Sequence, residues 1–400
     1  MRHDRFMDLL HTAFIGTYAP TQCGLATFTS ALRNSMSPGL NLAESPVIRV
    51  LDAPPVTDAP QPCEVGYAWL HGDRNAVERV VDILDDCDIC IIQHEYGIFD
   101  GPNGDAIIDV IRRSPAPTIV VLHTVLARPN RAQRSVLEAV VDAADVVVTQ
   151  SGAARKALIN NFSVDAAKVR MIPHGAAPNF TTTGRETATP TRVASPTILT
   201  WGLIGPGKGF EVAIEAIARL SDLDVAPRYI IAGRTHPKVV ANEGERYRDS
   251  LIALAAELDV TDRVVFDGRY RTVSELNTLI GAADIVLLPY ESREQVTSGV
   301  LVEALASGKP VVATAFPHAR EVLASGAGIV VPHDSPKDMA SALRSLLTDA
   351  QHFATTCAHA ERIGRKLFWP EIGRQYLALA FDTIEFATES IEPLLLKAGA

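Results

Sequence analysis

Residues 197–220 read TILTWGLIGPGKGFEVAIEAIARL, and the order of features within them sets the fold. A run of strand length ends at Trp201, glycines follow at positions 202, 205, 207 and 209, and an amphipathic helical pattern opens at Phe210. Backbone amides freed by glycine at a helix N-terminus, with Lys208 beside them, suit a diphosphate. The spacing approaches the GxxxxGK[ST] loop of nucleoside triphosphatases, but Gly209 occupies the position of the magnesium-binding hydroxyl. The dinucleotide fingerprint GxGxxG is also unmet, since its third glycine falls one residue early. A strand, a glycine turn and a helix in this order predict a parallel sheet with an anion held at its carboxyl edge.

The same alternation extends in both directions. RYIIAGR, RVVFDGRY, DIVLLPY, KPVVAT and GIVVP follow, while HTAFIGTY, CDICIIQHE, TIVVLHTV, DVVVTQS and VRMIPHG precede, several of them separated by helical periodicity. Two doubly wound, Rossmann-like α/β domains are expected, the first over 1–178 and the second over 197–366. Between them, at 179–196, Thr, Pro, Ser and charges replace apolar periodicity and predict a linker. A helical pattern with Pro370 near its start predicts a C-terminal helix at about 367–390, able to pack back on either domain, the first among them.

Composition narrows the function classes. With 400 residues, 47% of them hydrophobic and 21% charged, the chain has ample apolar surface to bury in two compact domains. A net charge of −10 argues against nucleic acid as a partner. The N-terminal stretch lacks the apolar run of a signal peptide, and apolar runs stay short of a membrane span, so a cytoplasmic protein without a transmembrane segment is expected, with peripheral membrane contact left open. Five cysteines, an odd number, fit reduced thiols, and Cys87 and Cys90 read as packed strand residues.

Further chemistry gathers where strands end. After DIVLLPY, the stretch Gln295-Val-Thr-Ser298-Gly299-Val300-Leu301-Val-Glu303 places Ser298 and Gly299 at a helix start. Amides of Gly299, Val300 and Leu301 would there meet a second phosphate or the charge of a leaving group. Glu303, in the early turns, suits the two vicinal hydroxyls of a ribose. His123 ends the strand TIVVLH, where a neutral imidazole can hydrogen-bond a sugar hydroxyl, and His94-Glu95 form a second polar pair on the same edge.

In this order and spacing, the two loops of the second half, with Gly16-Thr-Tyr-Ala-Pro-Thr-Gln-Cys-Gly24, His123, Ser151 with Lys156, and Ile-Pro-His174-Gly175, resemble family 4 of the retaining glycosyltransferases. The likeness covers nearly the whole chain. It implies the GT-B fold, two facing Rossmann-like domains with an interdomain cleft, and transfer of a hexose from a donor such as GDP-mannose or UDP-glucose to a glycan, lipid-linked or small-molecule hydroxyl. No cofactor is implied beyond that nucleotide-sugar substrate. It further implies that Lys208, with Gly207 and Gly209, binds the donor diphosphate, that Glu303 binds the ribose, that the Gly24 loop faces the donor phosphates, and that His123 sits beside the transferred sugar. His94 and Glu95 are assigned to the acceptor or donor-sugar side.

Two positions depart from the family pattern. Leu203 stands where the family commonly has an Arg, and Arg234, at the end of YIIAGR, is the expected substitute. Gln295 stands where the family has the first of two Glu; it can hydrogen-bond a sugar but carries no charge, unless Glu294 shifts into its place. These departures keep a nucleotide-sugar-binding relative without turnover as the alternative, and a phosphorylase or epimerase on the same fold as another. Both DxD triplets, at Asp86–Asp88 and Asp222–Asp224, precede strands and so fall at the amino edge, which argues for a metal-independent site.

Overall fold

The structure, a computed structural model, describes residues 9–54, 61–179, 195–269 and 271–398, with side chains to 389. The expected linker at 179–196 lies, apart from its ends, outside the described residues. The chain divides into two compact units, Met1–Gly175 with Trp369–Ala400, and Ala176–Phe368. The first unit closes three residues before the expected boundary because Ala176 already donates its amide to the Leu367 carbonyl and bridges to Phe368.

The first unit runs β1 (Thr12–Gly16), α1 (Gly24–Met36), β2 (Val47–Leu51), β3 (Val65–Leu70), α2 (Ala76–Leu84), β4 (Ile89–His94), α3 (Ala106–Arg113), β5 (Thr118–Leu122), α4 (Arg131–Ala143), β6 (Val146–Thr149), α5 (Gly152–Asn161) and β7 (Val169–Met171). The second runs β8 (Thr197–Trp201), α6 (Phe210–Ala218), β9 (Arg228–Ala232), α7 (Pro237–Glu243), α8 (Arg246–Glu257), β10 (Val264–Asp267), α9 (Val273–Ala282), β11 (Ile285–Leu288), α10 (Gly299–Ala306), β12 (Val311–Thr314), α11 (Pro317–Leu323), β13 (Gly328–Val331), α12 (Pro336–Thr348) and α13 (Ala350–Gly364). Helix α14 (Trp369–Ala398) then returns to the first unit.

Every pairing between these strands is parallel, in the orders β3-β2-β1-β4-β5-β6-β7 and β10-β9-β8-β11-β12-β13. Strands such as β5 (TIVVL) and β11 (IVLL) are buried at every position, as continuous apolar runs are when helices cover both faces of a sheet. Neighbours on β8 show the two faces: Ile198 enters the core under α6, α8 and α12, and Leu199 the core under α10 and α11. In the first unit α14 packs along α1, with Ile372, Tyr376 and Ala380 in one core with Phe28, Leu32 and Met36.

This topology fixes where ligands can sit. The strand order reverses between β1 and β4 and again between β8 and β11, and the crevice at such a reversal opens at the carboxyl ends. The segments that follow those four strands are 17–23, 95–105, 202–209 and 289–298. Strands β2 (VIRVL) and β3 (VGYAWL) are additional to the apolar runs recognised in the sequence. Arg49 interrupts the first, and the second is an edge strand with only one fully buried side chain.

Candidate functional site

In the second unit the glycine loop is fixed by close backbone approaches. Gly209 begins α6 at φ 69°, and a Cβ there would lie 1.9 Å from the Pro289 carbonyl oxygen just after β11. Gly207 has φ 85°, and its carbonyl accepts the Glu291 amide at 3.1 Å. These contacts bring the ends of β8 and β11 together at the strand-order reversal. Gly209 offers no side chain to cap α6, so the first-turn amides keep their donor capacity.

Lys208 stands half-buried above this loop. Its Nζ lies 4.7 Å from the ring centre of buried Tyr290, a cation–π contact. Burial lowers its pKa, and no carboxylate forms an ion pair with it among the described residues. A partly desolvated cation without a counter-charge at a helix N-terminus is a binding site for an anion.

The second loop is built around Ser298. Its hydroxyl caps α10 by accepting from the Leu301 amide at 3.3 Å, and its own amide donates to His318 Nδ1 at 2.9 Å. The Leu301 amide is therefore engaged by the cap, while the amides of Gly299 and Val300 keep their donor capacity. His318, buried on α11, fixes the loop from below and was not among the residues the sequence singled out. Its only sequence signal is a histidine at the second position of a short helix after a strand. Gln295 donates its amide to the Thr297 carbonyl at 3.1 Å, which ties it within its own loop and leaves Oε1 as an acceptor. Glu303 accepts from Trp201 Nε1 at 3.0 Å, and burial raises its pKa.

Arg234 is exposed after β9, and its carbonyl accepts the Ile204 amide of the glycine loop. With Thr235, Glu245, Arg248 and Gly268 it lines a cavity of about 500 Å³ at the carboxyl ends of β9 and β10. Leu203, the position lacking the family's Arg, is 39% exposed.

In the first unit, Gly24 is the exposed first residue of α1, and a Cβ there would meet nothing within 4 Å. The fold itself does not require glycine there. His123 donates Nε2–H to Gln93 Oε1 at 2.8 Å, leaving Nδ1 as an acceptor. Burial, with His174 and His94 nearby, holds its pKa well below the ordinary value, so the ring is neutral. Gln93 sets this tautomer and was overlooked because it reads as a polar break near the end of an apolar strand.

His94 is fully buried, burial pushes its pKa down to about 4, and neither ring nitrogen has a partner among the described residues. Glu95, half-buried, accepts from the Thr124 hydroxyl and the Tyr96 amide. His174 donates Nδ1–H to the Gly175 carbonyl at 2.7 Å, Ser151 caps α5, and Lys156 is exposed on that helix.

Cys90 is fully buried, and burial pushes the Cys87 thiol up to about 11, which keeps both as packed thiols. Asp88 accepts the His11 amide, and Asp222 pairs with Arg344, both before the strands they precede. No cluster of three metal-ligating side chains exists among the described residues, and no helix among them is long and apolar enough to cross a membrane.

Two family models match: Glycosyltransferase Family 4 over residues 48–180 and Glycosyl transferases group 1 over residues 187–366. The chain belongs to glycosyltransferase family 4. Among curated proteins it is similar to the D-inositol 3-phosphate glycosyltransferase of Kineococcus radiotolerans, 27% identical over 93% of this chain and 88% of that protein. It is also similar to the enzyme of that name from Stackebrandtia nassauensis, 31% identical over 62% of this chain. That match spans only 56% of the Stackebrandtia protein's own length. Among solved structures, Anabaena HepE in complex with UDP superposes with a TM-score of 0.75 at 20% identity, covering 93% of this chain and 99% of that one. Sucrose-phosphate synthase from Thermosynechococcus elongatus does so with a TM-score of 0.71 at 17% identity, covering 94% and 99%. These structures share the two-sheet GT-B fold.

Proposed function

We propose that this family 4 chain transfers a hexose from a nucleoside-diphosphate sugar to a hydroxyl acceptor, with retention and without a metal. One observation carries the reading. At a single strand-order reversal the second unit presents a half-buried cation and a half-buried carboxylate, and neither is paired with an opposite charge among the described residues. Opposite unpaired charges one strand apart suit a ligand that is anionic at one end and carries vicinal hydroxyls at the other, as a nucleoside diphosphate does.

Lys208, Arg234 and the amides of Gly299 and Val300 hold the diphosphate and stabilise the charge it gains as the glycosidic bond breaks. Glu303, oriented by Trp201, accepts from the ribose hydroxyls. In the second unit Gln295 Oε1 accepts from a hydroxyl of the transferred sugar; in the first, which takes the acceptor, the neutral His123 Nδ1 is an acceptor for a sugar hydroxyl. HepE solved with UDP and with UDP-glucose supports a uridine donor as the first to try. The name of the curated relatives puts a phosphorylated cyclitol among the first acceptors.

Proton NMR of the initial product tests the reaction: an α-linked donor gives an α-linked product, with the rate unchanged by EDTA. A β-linked product would overturn retention, and loss of activity in EDTA would overturn metal independence. The neutral Gln295, tied within its own loop, favours one second reading, a relative that binds nucleotide sugar and turns over slowly. Binding without product across an acceptor panel would establish it.

A further inference from the structure

Two arginines are buried in the first unit, and their surroundings differ. Arg33 donates to the carbonyls of Leu42 at 2.9 Å and Ser45 at 3.2 Å, and so ties a loop to α1. Arg49 is only 4% exposed, yet its one recorded hydrogen bond runs from NH2 to the Thr21 hydroxyl at 3.0 Å. Its Nε is buried and without a partner, and no carboxylate pairs with it among the described residues. A buried guanidinium held by one hydroxyl is poorly compensated, because buried charges are ordinarily paired.

The position of Arg49 gives that imbalance a direction. It sits on β2 in register with Gly16, the last residue of β1, and so at the carboxyl edge beside the β1/β4 reversal. Its partner Thr21 lies in the segment that leads into α1, and the Thr21 carbonyl accepts the Cys23 amide at 3.1 Å. Cys23 caps the 13-residue helix α1 weakly, through a thiol that accepts the Ala26 amide at 3.4 Å and shares a hydrogen bond of 3.4 Å with the Thr17 hydroxyl. The amides of Gly24 and Leu25 have no partner among the described residues, and the space above Gly24 is open. Thr21, accepting from Arg49, keeps its own hydroxyl proton to donate.

We infer that Arg49, Thr21 and the N-terminus of α1 form an anion subsite in the first unit that takes a phosphate group carried by the acceptor. This rests on the reading that the first unit serves the acceptor. Donor diphosphate shares the same chemistry and is the other source to separate. Burial also lowers the Arg49 pKa, as it does for a cation whose counter-charge the fold leaves out.

The test follows the melting temperature of the full-length protein with inorganic phosphate as probe, under saturating UDP so that the second unit's site is filled. Arg49→Met keeps the length of the side chain and removes the charge; Arg49→Lys keeps the charge without the fork. Phosphate is expected to stabilise the wild type and to bind Arg49→Met roughly tenfold or more weakly, with Arg49→Lys between them. The response to UDP alone should be unchanged in both variants, and ligand-free Arg49→Met should melt no lower than wild type. Four results would overturn the inference: no phosphate response in the wild type, an equal response in Arg49→Met, ligand-free destabilisation of Arg49→Met, or loss of its UDP response, which would assign Arg49 to the donor. Absence of response to both UDP and GDP in the wild type would instead count against the nucleoside-diphosphate reading, leaving the phosphate comparison intact.

Discussion

The loops after β1 and β8 hold the same place in two sheets of the same strand order, yet they are built from opposite materials. The loop at 202–209 uses three glycines with positive φ and presses Gly209 against the Pro289 carbonyl, so glycine there is a condition of folding. The loop at 17–23 is held by Tyr18, Thr21 and the Cys23 cap, and a Cβ on Gly24 beyond it would meet nothing within 4 Å. Charge differs too. The second unit leaves Lys208 and Glu303 uncompensated at its crevice, while the first unit lines its own with neutral imidazole and amide from His123 and Gln93. One topology thus offers a cation and a carboxylate in one unit, and in the other neutral hydrogen-bonding groups beside the buried cation Arg49.

The largest expected effect separates the two glycines. Gly209→Ala adds a Cβ into a backbone carbonyl at a strained φ and should cost about 4 kcal/mol or more, read as a large fall in melting temperature. Gly24→Ala should melt as wild type, and any loss of activity it shows then reports on ligand approach. Equal destabilisation of both variants would break the contrast.

Acid should strike the first unit. The folded pKa of His94 is depressed to about 4 from the ordinary value near 6.5, so its contribution is complete above about pH 6.5 and is lost as the pH falls through about 4, up to roughly 3 kcal/mol. His94→Phe should reduce the slope of the stability profile over that window, with His123 and His174, also depressed by burial, supplying the remainder, as measured by denaturant titration at several pH values. An unchanged profile would contradict the burial of His94.

Glu303 gives a smaller effect with the opposite sign. Its folded pKa is raised, so the ionised form costs stability as the pH rises through that value, and the cost is absent below about pH 4. Glu303→Gln should therefore melt slightly higher than wild type at pH 7 and equal to it at low pH, while nucleotide affinity falls roughly tenfold. Lower stability at pH 7 would show that the carboxylate is structural.

Much of the fold was legible because strands buried on both faces read as continuous apolar runs, as TIVVL and IVLL do. The two strands that escaped notice are instructive. VIRVL is interrupted by Arg49, a charge inside a buried strand, and VGYAWL is half-exposed at an edge. At the site, Lys208, Ser298 and Glu303 were legible because a loop, a cap and a helix turn fix their positions locally. His318 and Gln93 were not, since each acts through a partner distant in sequence: Ser298 for one, His123 for the other. The burial of His94 was not legible for a related reason, because a strand-end histidine reads alike whether it is exposed or buried.

The central claim is that the second unit holds a nucleoside diphosphate through Lys208. Calorimetric titration of UDP, GDP and uridine into wild type and Lys208→Ala, all in EDTA, tests it most directly. The account predicts that one diphosphate binds the wild type at a single site, that Lys208→Ala weakens it roughly tenfold or more, and that the weak binding of the nucleoside is the same in both. Equal diphosphate affinity in the two proteins, or binding that appears only when a divalent metal is restored, would contradict it.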